Sequence, residues 1–331
     1  MKKLLSILLV LSLVLCLTAC GGTTDTDSLY EITLCLDWTP NTNHTGFFAA
    51  DALGYYEAAG LKVRIVQPPE DGAELMTASG QAQFGISFQD SLAGVFSRQE
   101  SMKITAVAAI LQHNTSGVIS RKGEGAHTPA GLEGMRYSTW NSEIELAMIK
   151  ELMTAQGADY SSLKLVPSVT NEAQALKNKD IDAVWIYYGW AGISCTLQDV
   201  DTDYFALRDI NPVFDYYTPV IIANDAFLEA EPEKARAFIQ ATKKGYEYAA
   251  ENPESAAQYL IDGDSTGSLR GSEELVKKSQ EWISAQYIAD AESWGVFDAD
   301  RWNSFYAWLY EKSLTESRIE ENYGFTNDFL R

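Results

Sequence analysis

Histidine is nearly absent from this chain of 331 residues, which carries only His44, His113 and His127; cysteine is hardly commoner, at four. No two histidines stand at metal-ligating spacing, so a zinc hydrolase site finds no ligand set. The chain lacks a Gly-x-Ser-x-Gly elbow, a Walker loop and a Gly-x-Gly-x-x-Gly following a strand. Gly131-Leu132-Glu133-Gly134 carries glycines but precedes a strand pattern. Positive charge is also short: 25 Lys and Arg against 46 Asp and Glu give a formal net charge of −21. An acidic surface argues against nucleic acid and against attraction to anionic lipid. Beyond the N-terminus no run is long and apolar enough to cross a bilayer. Aromatic rings are plentiful, with 8 Trp and 17 Tyr. They build cores as readily as clefts, so their number alone decides little.

The N-terminus reads as a targeting segment. Lys2 and Lys3 precede the apolar run Leu4 to Leu15, and Leu17-Thr18-Ala19-Cys20 then meets Gly21-Gly22. Small residues before a cysteine resemble a bacterial lipobox, which predicts cleavage of residues 1–19 and lipidation of Cys20. Residues 20–29 form a polar tether. Cys35 falls in the first strand pattern and Cys195 in a later helix, so both read as buried thiols, with a disulfide between them left open.

The remaining 300 or so residues suit one large or two modest domains. Apolar runs at 32–36, 61–66, 84–88 and 104–111 alternate with helical patterns, including Thr45 to Gly60. A second cycle has strands at 117–120, 135–139, 163–166 and 183–188, then 204–207 and 217–223. This rhythm predicts an α/β fold with mainly parallel sheets. The last third is helical, and Pro232 and Pro253 occupy first helical positions.

The strand-end loops hold the chemistry. Ile32 to Leu36 opens into Asp37-Trp38-Thr39-Pro40-Asn41 and His44. Further loops carry Phe88, Gln89 and Asp90; Trp140, Asn141, Ser142 and Glu143; and Tyr187, Tyr188 and Trp190. Asp215-Tyr216-Tyr217-Thr218-Pro219 precedes the last strand pattern. In open α/β folds ligands bind at the carboxyl ends of strands. Rings there would sandwich a flat ligand, and amides and carboxylates would read its edge. Each residue has a plainer reading too: His44 can bond within its loop, Asp90 can cap its helix, and Glu143 suits a first helical turn without any ligand. Strand alternation sends Tyr187 and Tyr188 to opposite faces, so only one reaches a cleft.

Asp37-Trp38-Thr39-Pro40-Asn41-Thr42-Asn43-His44, Gly54-Tyr55-Tyr56, Gly60-Leu61, Ala78-Ser79-Gly80, Phe84-Gly85-Ile86 and Asp215-Tyr216-Tyr217-Thr218-Pro219 together resemble the solute-binding lipoproteins that feed thiamin-pyrimidine precursors to ABC importers. The resemblance runs over nearly all of residues 30–331. It implies a type II periplasmic-binding-protein fold, two α/β lobes joined by two crossover strands, with residues 30–116 plus 220–331 in one lobe and 117–219 in the other. It implies a ligand held between the lobes without a cofactor, most readily an aminopyrimidine, with a flavin, sulfonate or other small solute as alternatives, and a pyrimidine-forming enzyme or a non-transport surface receptor as the remoter readings. Trp38 and one of Tyr187 and Tyr188 would stack on the ring, Asn41, Gln89 and Glu143 would bond its edge, and His44 would orient the loop or touch a substituent. Phe88, Trp140, Ser142, Trp190 and Tyr217 would complete the lining. The implied partners are an ABC permease and its cytoplasmic ATPase. The implied setting is a monomer, lipid-anchored on the outer face of the bacterial membrane. The eukaryotic pyrimidine synthase of the same fold holds pyridoxal phosphate on a lysine where this chain has Ser87, and carries a cysteine-rich run that is missing here. The acidic residue that pyrimidine binders place after the strand at 183–188 corresponds to Ala191.

Overall fold

The computed structural model describes residues 29–98 and 102–331. The expected leader, Cys20 and most of the expected tether lie outside the described residues. Among the described residues, ten strands form two five-stranded sheets. In the first, β1 (Tyr30–Cys35), β2 (Leu61–Val66), β3 (Phe84–Ser87), β4 (Ile104–Ala109) and β10 (Val220–Asn224) stand in the order β2-β1-β3-β10-β4. In the second, β5 (Ser116–Arg121), β6 (Arg136–Thr139), β7 (Lys164–Pro167), β8 (Ala183–Tyr187) and β9 (Thr202–Ala206) stand in the order β7-β6-β8-β5-β9. The sheets share one plan: three parallel strands, then one antiparallel strand held between two others. The chain leaves the first sheet after Ala109, enters the second at Ser116, and returns between Ala206 and Val220.

The helices that position the site are α1 (Thr45–Ala52), α2 (Gln89–Phe96), α3 (Glu143–Ala155), α4 (Pro232–Glu251), α5 (Pro253–Gly263), α6 (Glu273–Ile283) and α7 (Ala299–Glu311). Pro232 and Pro253 do start their helices, where a missing N–H costs nothing. The single helix expected over Thr45 to Gly60 is two: Gly54 takes a left-handed φ of 71° and separates α1 from a short turn, Tyr55–Ala58. The last strand starts three residues later than the pattern suggested, at Val220, because Tyr217 and Pro219 belong to the return crossing.

One core fills the first lobe, with Phe84 stacked on Phe238 at 4.0 Å and Tyr246 on Trp294 at 4.5 Å. A second core crosses between the lobes. It joins Tyr137, Met148 and Trp185 of the second sheet region to Tyr216 of the return crossing and to Trp302 and Phe305 of α7. Helix α7 therefore braces both lobes. Cys35 and Cys195 are separate buried thiols, each pushed up to about 11 chiefly by burial, so both are poor nucleophiles at neutral pH. No helix among the described residues is long and apolar enough to cross a membrane.

Candidate functional site between the lobes

The loop after β1 spends its polar atoms on itself. Asn41 caps the 3-10 turn Thr42–His44, accepting from the Asn43 N–H at 2.9 Å and donating to the Thr39 carbonyl at 3.1 Å. Fully buried His44 accepts the Asn41 N–H at Nδ1 (3.2 Å), which leaves the proton on Nε2 for Asp37 Oδ1 at 2.7 Å. The tyrosine hydroxyls of Tyr246 and Tyr287 clamp the Asn43 and Thr42 carbonyls. This scaffold pushes Trp38 outward, where its residue surface is 57% exposed.

The loop after β6 does the same in the second lobe. Ser142 caps α3 through the Glu145 N–H, and Asn141 takes a left-handed φ of 59°. Buried Glu145 accepts from the Tyr137 hydroxyl (2.9 Å), the Thr139 hydroxyl (2.8 Å) and the Trp140 N–H (3.0 Å). Burial raises its carboxyl and these bonds partly offset that. The result is a second presented ring: Trp140 is 51% exposed and lies 5.9 Å from the Trp185 ring. Glu143 is exposed beside it.

Between these loops the register of β5 and β8 gathers unpaired polar atoms. Tyr187 opposes Ser116 and Trp185 opposes Val118, so these four share one face while Val184 and Ile186 enter the core behind. The Tyr187 hydroxyl meets Thr218 Oγ1 of the return crossing at 3.3 Å. Burial, then the charges of Asp90 and Asp37, push that hydroxyl's pKa up, which puts both carboxylates in its neighbourhood. Asp90 Oδ1, Ser116 Oγ and Trp185 Nε1 are each sealed from solvent with no hydrogen-bond partner among the described residues. Burial raises the Asp90 carboxyl to about 6, against the pull of the Ser91 and Asp90 N–H groups. Asp90 is not the helix cap expected from sequence. Phe88 holds that position by backbone alone, and Asp90 stands one residue inside the helix.

Other expected residues stand elsewhere. Gln89 is fully buried, donating to the Trp302 carbonyl at 2.9 Å and accepting the Tyr217 N–H at 2.8 Å, so its amide knits α2 to the return crossing and α7. Tyr217 is buried beside it, its hydroxyl accepting the Asp298 N–H. Phe88 is half-buried. Tyr188 turns away from Tyr187 and packs between Tyr204 (4.9 Å) and Trp282 (5.2 Å). A turn of π-helix, Tyr188–Gly192, lays Trp190 against the first-lobe cluster of Phe48, Leu260 and Val276. There Ser279 of α6 donates to the Gly189 carbonyl, and a Cβ on Gly189 would sit 3.0 Å from the Trp282 ring. Ala191 is buried in the second lobe's satellite core. Ser87 is buried and donates to Glu74 at 2.6 Å. The sequence reading missed Trp185, Ser116 and Glu145. The alternation that links Trp185 to Tyr187 was the available signal for the first.

A match to the family described as NMT1/THI5 like spans residues 41–256. The chain belongs to this family. One relative is the formylaminopyrimidine-binding protein of Halalkalibacterium halodurans, 28% identical over 337 residues and covering 98% of each chain. The 4-amino-5-hydroxymethyl-2-methylpyrimidine phosphate synthase THI11 of Saccharomyces cerevisiae is also 28% identical, over 251 residues, with 70% of this chain and 71% of the synthase covered. Binders and synthases thus both occur among the relatives. Of solved structures, the alkanesulfonate-binding protein SsuA of Xanthomonas axonopodis matches with a TM-score of 0.66 at 11% identity, over 89% of this chain and 98% of that one. The periplasmic aliphatic sulphonate-binding protein of Escherichia coli matches with 0.65 at 11%, over 91% and 99%. These distant structures establish the two-lobed periplasmic-binding-protein fold.

Proposed function

We propose that this protein is the solute-binding component of an ABC importer and captures an aminopyrimidine, a thiamin-pyrimidine precursor, between its lobes. The observation that carries the ligand class is Asp90. A carboxylate oxygen sealed from solvent and left without a donor is costly, and an exocyclic amine or ring N–H would supply the missing bond. Trp185 Nε1 offers a donor and Ser116 Oγ either role, which suits a ring carrying both N–H groups and bare ring nitrogens. Trp38 and Trp140, presented from opposite lobes, would cover the two faces of a flat ring. The name of the halodurans relative, a formylaminopyrimidine-binding protein, supports the same class. Ser87 offers no amine for a Schiff base, which favours binding over synthesis. The lipobox-like run at Cys20 supports a protein anchored on the outer face of the cytoplasmic membrane, with residues 30–116 plus 220–331 and residues 117–219 as the moving lobes of a monomer.

Calorimetric titration of purified protein with formylaminopyrimidine, a flavin and an alkanesulfonate tests the ligand class. Saturable binding of the pyrimidine alone is expected. Binding of the flavin or sulfonate in its place overturns the assignment.

A further inference from the structure

The least expected cluster lies where the chain crosses between lobes. His113 sits in the outward crossing, and both of its ring nitrogens face carboxylates. Nδ1 is 2.6 Å from Asp215 Oδ2 of the return crossing, and Nε2 is 2.8 Å from Asp290 Oδ1 of the loop after α6. A carboxylate only accepts, so both contacts are hydrogen bonds only when the imidazole carries two protons. The other Asp215 oxygen accepts the Asn114 N–H at 2.9 Å, and the Asn114 amide donates to the Phe214 carbonyl at 2.8 Å. The two crossings are thereby zipped together. Arg301 of α7 stands 3.6 Å from Asp215, donates to the Gln112 carbonyl and lies over the Tyr217 ring at 5.1 Å. Arg208 and Asp209 share the open groove with His113.

We propose that His113 is the positioning residue of the hinge: as an imidazolium it pins both crossing segments to the C-terminal body, and loss of its proton loosens the arrangement of the two lobes. The neutral ring has one hydrogen for two carboxylates. One contact must then become a repulsion between lone pairs, and Asp215 and Asp290 lose the cation between them. Arg301 remains beside Asp215 and also acts on Asp290, but Asp290 is largely exposed and its ion pair among the described residues is with His113. The surroundings agree with a charged ring: the bond to Asp215 raises the His113 pKa above its ordinary value, against the effects of burial and of Arg301. A histidine raised in the folded state contributes fully at acid pH, and that contribution fades as pH rises through its folded pKa.

The proposal rests on two-lobe capture but not on the identity of the ligand, and the test separates the two. Spin labels on E57C and K150C, exposed positions in the first and second lobes, report the interlobe distance without ligand. The distribution is expected to widen between about pH 6.5 and about pH 9, and to be wide at both pH values in the His113→Gln background. In parallel, affinity for formylaminopyrimidine should fall roughly tenfold over the same range in the native hinge and stay flat in H113Q. Should H113Q fold poorly, Asp290→Asn removes one exposed carboxylate and should move the transition to lower pH. A distance distribution indifferent to pH, or an H113Q profile that keeps the native slope, overturns the proposal. Failure of every heterocycle to bind would instead refute the ligand assignment and leave the distance measurement decisive for the hinge.

Discussion

Replacing Asp90 with asparagine should move stability and affinity in opposite directions. Burial has raised this carboxyl from 3.8 to about 6, so the folded protein holds the proton more tightly than the unfolded chain does. Stability on this account is greatest in acid and declines as pH rises between those two values; at neutral pH the cost is fully present. The difference corresponds to about 3 kcal/mol. The residue as a whole is only half-buried, and solvent trims that to roughly 1–2 kcal/mol. A neutral amide in place of the carboxylate would escape the cost, and the loss of a negative charge in the first turn of α2 returns less than about 1 kcal/mol. D90N should therefore melt a few degrees higher at about pH 7.5, and the gain should vanish at about pH 4. The same change removes the charge-assisted hydrogen bond proposed between Asp90 and the ligand, worth about 1.5–3 kcal/mol, and should weaken binding roughly 10- to 150-fold. Scanning fluorimetry at the two pH values and titration calorimetry read both effects. An unchanged affinity, or a melting temperature lowered at neutral pH, would refute the reasoning that this carboxylate is held unpaired for a ligand.

Trp38→Ala and Trp140→Ala should each lose tenfold or more in affinity with little change in melting temperature, because both rings are half-exposed and the loops beneath them are bonded independently. Glu145→Gln should destabilise by about 1–3 kcal/mol in denaturant titrations and weaken binding as well, since one carboxylate holds Tyr137, Thr139 and the Trp140 N–H. Asp182 is bonded to Arg136 and Arg121, which hold its carboxyl far below the usual aspartate range. Its contribution is present above the ordinary aspartate pKa and lost as pH falls, so Asp182→Asn should flatten the acid side of the stability profile, seen by melts across pH.

Local rules reached the fold well. Strand runs bounded by glycine, proline and amides, helices opened by Pro232 and Pro253, and two βα cycles were enough to expect two lobes. The candidate site was legible as a set of loops, because ligand loops follow strand ends, but not atom by atom. Asn41 and His44 looked like ligand contacts because their partners, Asp37, Thr39 and Asn43, are satisfied only in a folded loop. Gln89 is consumed by Trp302 and Tyr217, 213 and 128 residues away. Asp90 looked like a cap because an acid near a helix start usually is one; its unpaired oxygen exists only in three dimensions. Trp185 sits inside an apolar strand and reads as core. His113 carried no local signal, since its two carboxylates lie 102 and 177 residues downstream.

The strand order has a consequence for how this protein comes into being. The second sheet is complete within residues 116–206, but the first is not complete until residue 224: β10 fills the place between β3 and β4. A chain emerging in order has to leave a slot one strand wide in its earliest lobe while the later lobe forms. Val220 to Asn224, entirely buried when seated, is then the keystone. Until it arrives, β3 and β4 each present a bare edge, a surface that invites pairing with a foreign strand. Maturation of the N-terminal half thus waits on the far end of an excursion more than a hundred residues long, and a chain truncated before residue 220 should accumulate as an aggregating species rather than as a half-sized binder.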